Sequence, residues 1–182
     1  MRAMRPGTER ADLVDRARRH DPAAWEELYV SVYPRLVGYA RRRAGRDRAP
    51  DVVAETMARA VGAIQRFDPV GPGFDAWLFG ICRNVVADTF RRAARDDRRR
   101  LPALLPVDDT GEDLETDEEA GAMRQAYARL SDDDRELLDL RVVAGLSADE
   151  VAAVLGKQPG AVRMAQSRAL ERLRTHFGEV YR

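Results

Sequence analysis

The sequence is poor in the residues on which metal sites, disulfides and most enzyme sites depend. Among 182 residues there are one cysteine and two histidines. Cys82 alone cannot form an intramolecular disulfide or supply a cysteine-based zinc site. His20 and His176 are too few for a multi-histidine metal site, and there is no Gly-rich phosphate loop. We therefore expect no catalytic residues, no metal site and no cofactor.

Long apolar runs are also missing. No stretch approaches the roughly 18 to 20 consecutive apolar residues of a membrane span. The N-terminus has no apolar core of the kind found in signal peptides. These absences predict a cytoplasmic protein without membrane insertion. Hydrophobic residues make up 45% of the chain, which is enough for one domain of ordinary size or two small ones.

The formal net charge is zero, which taken alone argues against a nucleic-acid partner. The zero is an average over three unlike blocks. Residues 1–100 hold 21 basic and 14 acidic side chains (+7), residues 101–139 hold 3 and 13 (−10), and residues 140–182 hold 7 and 4 (+3). Because such asymmetry accompanies binding to nucleic acid or to a charged partner, the balance does not exclude DNA.

Helical periodicity dominates both ends of the chain, and no alternating strand pattern is long enough to predict a sheet. Asp21 and Pro22 form a helix start, and Pro34 predicts a kink or break inside the helix that follows. The predicted helices are 22–44, 51–66, one that begins near 74 and runs into the Arg-rich stretch 91–100, and the shorter 122–129, 132–144, 147–155 and 159–176. The fold class is therefore all-α.

Composition divides this helical chain into two small domains. Residues 101–121 contain two prolines and a dense run of acids, which predicts a flexible acidic linker. The domains are then 21–100 and 122–182, and the Arg-rich segment 1–20 is expected to be a tail that lacks fixed structure.

The sharpest local signal is a helix-turn-helix within residues 147–176. Ser147 and Glu150 form a capping box, Gly156 suits a left-handed helix end, and Pro159 restarts a helix. On a helical wheel the second helix turns one set of side chains away from its apolar face, as expected of a DNA-reading helix: Arg163, Met164, Ser167, Arg168, Glu171 and Arg174. An ordinary helical hairpin with a solvated basic face is the alternative.

Several segments, in register, resemble conserved region 2 of bacterial sigma factors. They run from Asp51 to Met57, from Arg66 to Pro69 and from Phe74 to Leu78, and end at Arg83, Asn84 and Asp88. Segments 128–138, 145–147 and 160–163 resemble region 4. The chain is similar in particular to the extracytoplasmic-function (group 4) class, which keeps only these two regions. The resemblance spans about 21–100 and 122–176, and implies a protein that binds core RNA polymerase and directs promoter recognition, −10 melting and transcription initiation.

This resemblance implies roles for polymerase-binding residues. In the family, the helix that carries Asp51 and Glu55 docks on the coiled coil of the polymerase β′ clamp, and the β flap is a further contact. Outside this context the two acids would be read as a solvated face. Ala54 stands where members usually have Gln, and Met57 where they have an aromatic residue. Many members are held inactive by an anti-sigma factor that covers both regions, which makes such a protein a candidate partner.

Roles in binding promoter DNA follow from the same resemblance. Loop 67–73 and the helix behind it melt the −10 element in similar proteins, which implies contacts from Arg83, Asn84, Asp88, Arg91, Arg92 and Arg95. Trp77 has the spacing of a core residue rather than of a base-stacking one. The −35 element would be read by Arg163, Met164, Ser167, Arg168 and Arg174. Members often carry Lys-Ser-Arg-Leu where this chain has Arg163 to Gln166, so the −35 sequence itself stays open.

Two other classes of function compete with this interpretation. A transcriptional regulator with a helical sensor domain and a helix-turn-helix would bind duplex DNA specifically without polymerase. A sigma factor would bind DNA weakly alone and initiate only with core enzyme. An enzyme is the poorest alternative, because the paired acids of 112–119 lie in a segment that cannot fix their geometry.

Overall fold

In the computed structural model, residues 6–97 and 118–181 are described, and these are helical with no β-strand among them. The helices follow the predicted periodicity closely. They are α1 Pro6–Arg18, α2 Pro22–Ala44, α3 Ala49–Ala63, α4 Phe74–Asp97, α5 Glu118–Ala128, α6 Asp132–Leu138, α7 Ala148–Leu155 and α8 Pro159–Val180. A 3-10 turn, Ile64–Arg66, extends α3, and a π-helical turn, Asp139–Val143, extends α6. The all-α prediction is confirmed.

Helix α2 is the central element of the N-terminal half. The Asp21 carboxylate accepts hydrogen bonds from the Ala23 and Ala24 amides and caps the helix. The helix continues through Pro34 to Ala44, so of the kink or break expected at Pro34, the break is wrong. Helices α3 and α4 pack against α2, and the ring of Phe79 meets that of Tyr39 edge to ring at 5.7 Å. In this bundle, α3 and α4 each keep one face exposed to solvent.

The N-terminal segment is more ordered than the sequence suggests. Residues 1–20 are expected to lack fixed structure, but residues 6–18 form α1, which packs on α2. Val14 and Ala17 are buried in the same cluster as Ala24 and Leu28. The prediction is wrong for residues 6–18. Val14 and Ala17 pack into the apolar cluster with α2, but most other residues of α1 are polar, so its sequence shows no clear apolar stripe.

In the C-terminal half, α7 and α8 form the predicted helix-turn-helix. The Ser147 hydroxyl accepts from the Glu150 amide while the Glu150 carboxylate accepts from the Ser147 amide, which confirms the capping box. Gly156 ends α7 in the left-handed conformation (φ 64°), and Pro159 begins α8. Helix α5 already begins at Glu118, so the last residues of the expected linker 101–121 are helical.

The two halves share one apolar core. Leu36, Tyr39 and Phe79 of the N-terminal half are buried in a single cluster with side chains from the C-terminal half. These partners are Leu137, Leu140, Leu146, Val151 and Val162. Helix α4 packs on α7, and α2 packs on the π-helical turn. The sequence predicts two domains but carries no signal for this contact between them.

The capping box gives a prediction about stability. Ser147→Ala leaves the Glu150 amide without its side-chain acceptor, so we expect the free energy of unfolding to fall by about 1 kcal/mol. Urea denaturation followed by circular dichroism would measure the change. Ser167→Ala, at an exposed position within α8, is the control and should change stability by less than about 0.5 kcal/mol. Equal losses in both variants would contradict the role of Ser147 as a cap.

Candidate nucleic-acid and polymerase interfaces

The second helix of the helix-turn-helix presents the face that the sequence predicts. Val162 and Ala169 are fully buried against the rest of the C-terminal half. The predicted −35 residues lie on the other side and are all exposed: Arg163, Met164, Ser167, Arg168 and Arg174. Met164 is 64% exposed, which is unusual for a large apolar side chain and leaves it available for contact with a thymine methyl group.

The arginines of this face are only loosely paired. Arg163 lies 3.9 Å from Asp149, and Arg174 lies 3.9 Å from Glu171, and all four side chains are mostly in solvent. Exposed pairs at this distance contribute little. These guanidinium groups can therefore exchange a carboxylate for a DNA phosphate or a guanine edge at low cost.

Gln166 is turned away from the exposed face. Its side-chain oxygen accepts a hydrogen bond of 2.7 Å from Arg141 Nε. Arg141 also donates to the Leu146 carbonyl, so this one side chain joins the π-helical turn both to α8 and to the residues before α7. Gln166 therefore positions α8 within the C-terminal half, in keeping with its place near the buried edge of the helical wheel.

The predicted polymerase-binding residues lie on the outer face of α3. Asp51 and Glu55 are both exposed, one turn apart, while Val53 and Thr56 between and beside them are buried. Glu55 is not isolated, because its carboxylate pairs with Arg59 Nε at 2.7 Å. The structure thus places the two acids where a basic partner can reach them, with Arg59 at their edge.

Arg59 was missed by the sequence reasoning and joins two predicted sites. Its guanidinium also donates to Asp88 on α4 at 2.8 Å. Asp88 accepts a second bond from Arg91. Hydrogen bonds from Arg59 and Arg91 hold the pKa of Asp88 at about 2, well below its usual range. The spacing of Glu55 and Arg59, four residues apart on one helix, was the signal that could have identified Arg59.

The predicted −10 residues do not form one cluster. Asp88 and Arg91 belong to the Arg59 network, whereas Arg92 and Arg95 are exposed toward the end of α4. Arg83 points to the C-terminal half, where it donates to Glu136 of α6 at 3.0 Å. The remaining residue is Asn84, which is exposed beside Arg83. Arg98, Arg99 and Arg100, at the end of the Arg-rich stretch 91–100, lie outside the described residues.

Arg83 and Asn84 open onto a cleft of about 810 Å³ between the two halves. Basic groups from both sides of the cleft face one another across it, interleaved with acids. The lining includes Arg42, Arg43, Arg48, Arg83, Asn84, Arg91, Tyr127, Asp132, Arg135 and Glu136. The cleft is therefore polar and charged, unlike an apolar pocket for a small organic ligand.

Trp77 and Cys82 have structural roles. The Trp77 ring packs against Phe67 and Phe74, with ring centroids 5.4 and 5.7 Å away, as the prediction of a core role requires. Cys82 is fully buried, and this burial raises the pKa of its thiol to about 12. The described residues contain no cluster of side chains that could hold a metal ion, and none of their helices is long and apolar enough to cross a membrane.

The Arg59 network gives a prediction about titration. Removing one donor with Arg59→Gln should raise the pKa of Asp88 from about 2 toward the ordinary value near 3.8. Because the native pKa is depressed, the stabilising effect of the ionised Asp88 is complete above that ordinary value. It is lost as the pH falls through the native pKa.

A ¹³C carboxyl NMR titration of the wild type and of Arg59→Gln would measure this shift. Arg66→Gln, in the 3-10 turn, is the control and should leave the pKa of Asp88 unchanged. A pKa of Asp88 that does not move in Arg59→Gln would contradict the network.

Both halves of the chain match families of known proteins. The Sigma-70 region 2 family matches residues 28–96, and the Sigma-70 region 4 family matches residues 120–173. The ECF RNA polymerase sigma factor SigD of Mycobacterium tuberculosis is 37% identical over 91% of this chain and 83% of its own. The ECF RNA polymerase sigma factor ShbA of Streptomyces griseus is 34% identical over 89% of this chain and 92% of its own.

Solved structures show the same fold. The structure of CnrH in complex with the cytosolic domain of CnrY has a TM-score of 0.66 at 30% identity, covering 91% of this chain and 95% of that chain. The sigma factor RpoE of Bartonella quintana, in complex with the anti-sigma factor NepR, has a TM-score of 0.63 at 26% identity, covering 84% and 96%. With both regions matched in order and full-length relatives at this identity, the chain belongs to the ECF sigma factors of the sigma-70 family.

Proposed function

We propose that this chain is a promoter-recognition subunit of RNA polymerase that works through three separate surfaces. The exposed acids of α3 dock on the β′ clamp coiled coil, the α4 face contacts the −10 element, and α8 enters the major groove of the −35 element. The observation that carries this proposal is the α8 face, where three arginines, a serine and an exposed methionine stand clear of the buried residues.

The −35 contact follows from the chemistry of the α8 face. Arginine is suited to bidentate contact with guanine or phosphate, and Met164 offers an apolar surface to a thymine methyl group. Ser167 can donate to or accept from either a base edge or a phosphate. The segment that carries this helix, residues 140–182, has a net charge of only +3, which supports weak binding in the absence of polymerase.

The −10 contact rests on the α4 face and the cleft beside it. Asn84 can pair with an unstacked base, and Arg92 and Arg95 can hold the displaced strand through its phosphates. Extruding a base costs a few kcal/mol, which stacking and edge contacts offset. Asp88, held ionised between Arg59 and Arg91, fixes the position of both guanidinium groups on this face.

The chain acts by binding and not by chemistry of its own, in the cytoplasm, where core enzyme supplies RNA synthesis. An anti-sigma protein is a fitting regulatory partner, because the similar structures of CnrH and of RpoE are complexes with CnrY and with the anti-sigma factor NepR. The basic faces of α4 and α8 and the acidic face of α3 are the surfaces that such a protein would cover.

One prediction of the proposed function concerns −35 recognition. Arg163→Ala combined with Arg168→Ala should abolish −35-dependent run-off transcription, since each lost contact costs about 1–3 kcal/mol. Affinity for core polymerase should stay at the wild-type value. Arg129→Ala, which removes an exposed arginine paired with Glu179 at 3.1 Å, is the control and should transcribe normally. Normal transcription by the double variant would contradict the assignment of α8.

Another prediction of the proposed function concerns polymerase docking. Asp51→Arg combined with Glu55→Arg should weaken core binding at least tenfold while leaving the α8 face intact. Because Glu55 also pairs with Arg59, Asp51→Arg alone should show the same direction of change. Asp12→Arg with Glu26→Arg is a control of equal charge change on exposed positions.

These variants would be compared in a pull-down with core enzyme and in run-off transcription. A docking double variant with normal core affinity would contradict the assignment of α3. A wild-type chain that neither binds core enzyme nor supports transcription would overturn the proposed function. Specific duplex binding without polymerase would instead indicate a free-standing regulator.

A further inference from the structure

A solvent-exposed thioether lies on the DNA-reading face of α8. Met164 is 64% exposed and, among the described residues, packs into none of the three apolar clusters. Its neighbours on this face, Arg163, Ser167 and Arg168, are exposed as well. Water and small solutes can therefore reach the sulfur of Met164 without any movement of the fold.

The other sulfur atoms of the described residues are less open to solvent. Met57 is half-buried and packs against two apolar clusters, and Met123 is 43% exposed. Cys82 is fully buried, and burial raises the pKa of its thiol to about 12, so it carries almost no reactive thiolate at neutral pH. Within the part of the chain that the structure describes, Met164 is thus the sulfur most accessible to an oxidant.

Oxidation changes the Met164 side chain from apolar to polar. Hydrogen peroxide transfers one oxygen atom to the thioether: the O–O bond breaks, an S–O bond forms, the sulfur gives up two electrons, and water leaves. The product, methionine sulfoxide, is polar, and its oxygen accepts hydrogen bonds. In this state the side chain no longer offers the apolar surface that contacts a thymine methyl group.

The position of Met164 on the helix adds a second effect. Arg168 follows it by four residues, so the two side chains are neighbours one turn apart on the exposed face. An arginine carries five N–H donors, and a sulfoxide oxygen at position 164 can accept from one of them. Oxidation then removes one contact to DNA and draws a second DNA-reading side chain toward an internal partner.

The fold itself does not depend on Met164. The inward side of α8 is formed by buried residues such as Val162 and Ala169. A sulfoxide at position 164 stays in water, so it carries no cost of burying a polar group. Its oxidation is therefore expected to alter how α8 reads DNA and to leave both the fold and the acidic face of α3 unchanged.

We propose that Met164 is an oxidation site through which a peroxide weakens −35 recognition by α8. The inference rests on the proposed function, which assigns α8 to the −35 element. It goes beyond that function by giving the chain its own reversible response to an oxidant. Reversal requires a methionine sulfoxide reductase, which removes the oxygen as water while two thiols are oxidised to a disulfide. The responding sulfur is the thioether on α8, and the buried thiol of Cys82 takes no part.

Oxidation of the chain before core enzyme is added tests the site. The chain is treated with hydrogen peroxide, the peroxide is removed with catalase, and peptide mass spectrometry locates the added oxygen. We expect Met164 to be oxidised earlier than Met123 and Met57. Run-off transcription with untreated core polymerase should then fall about tenfold, which corresponds to one lost base contact. It should recover after incubation with reductases for both sulfoxide epimers, and affinity for core enzyme should stay constant.

Variants assign the loss of transcription to one sulfur, and each variant is compared with its own untreated sample. Met164→Leu has no sulfur at this position, so treatment should not lower its transcription. Met123→Leu is the matched control, because it removes an exposed methionine from α5 and should respond to treatment as the wild type does. Met164→Gln, which is polar and of similar length, should transcribe at the level of the oxidised wild type without any treatment.

Templates with uracil in place of each −35 thymine, one at a time, test the methyl contact itself. Uracil differs from thymine only in lacking the methyl group. On a promoter that the wild-type holoenzyme transcribes, one such replacement should lower transcription by the untreated chain. The same replacement should have no effect on the oxidised chain or on Met164→Gln, because the contact is already lost there.

Three results would overturn the oxidation site: a Met164-oxidised chain that transcribes like the untreated one, a loss on treatment in Met164→Leu as large as in the wild type, or oxidation of Met123 ahead of Met164. An untreated wild-type chain that is indifferent to every uracil replacement would also count against it. Failure of the proposed function is distinct, because the untreated wild-type chain would then direct no transcription with core enzyme at all.

Discussion

The structure depends on one buried carboxylate. Asp139 lies where the N-terminal and C-terminal halves meet, and without Arg42 it would be a charge in an apolar core. Breaking such a pair on one side typically costs several kcal/mol, whereas solvent-exposed pairs contribute little. Arg42 Nε and the Tyr127 hydroxyl both donate to Oδ1 of this carboxylate, and together they hold the π-helical turn and α5 against α2. The many exposed ion pairs of the molecule are secondary to it.

The acidic residues of 101–139 fall into two sets, one in the linker and one that forms ion pairs within the fold, and composition alone does not distinguish them. The sequence places most of the cancelling negative charge in the linker and just after it. In the structure, the acids of α6 and the following turn pair individually with arginines elsewhere: Asp132 with Arg43, Asp134 with Arg172, Glu136 with Arg83 and Asp139 with Arg42. Part of the net charge of zero is thus neutralisation inside the folded chain, which leaves Arg163 and Arg174, on the exposed face of α8, as the more loosely paired arginines.

Local patterns predicted the local structure well and the long-range structure poorly. The helix-turn-helix was predictable because its signals are local. Ser147 caps α7, Gly156 ends it and Pro159 starts α8, and each of these roles depends only on the backbone within a few residues. The exposed face of α8 followed from the same periodicity. The pairing of Arg83 with Glu136, 53 residues away, has no local signature. Helix α1 was missed because its stability comes from α2 and not from its own sequence.

Gly38 shows how a substitution far from both exposed faces can still act on the fold. The position touches neither the acidic face of α3 nor the exposed face of α8, yet a Cβ atom added there would lie 2.8 Å from Val143 Cγ1 in the π-helical turn. A larger side chain at Gly38 would therefore change how the two halves pack while leaving both exposed faces as they are.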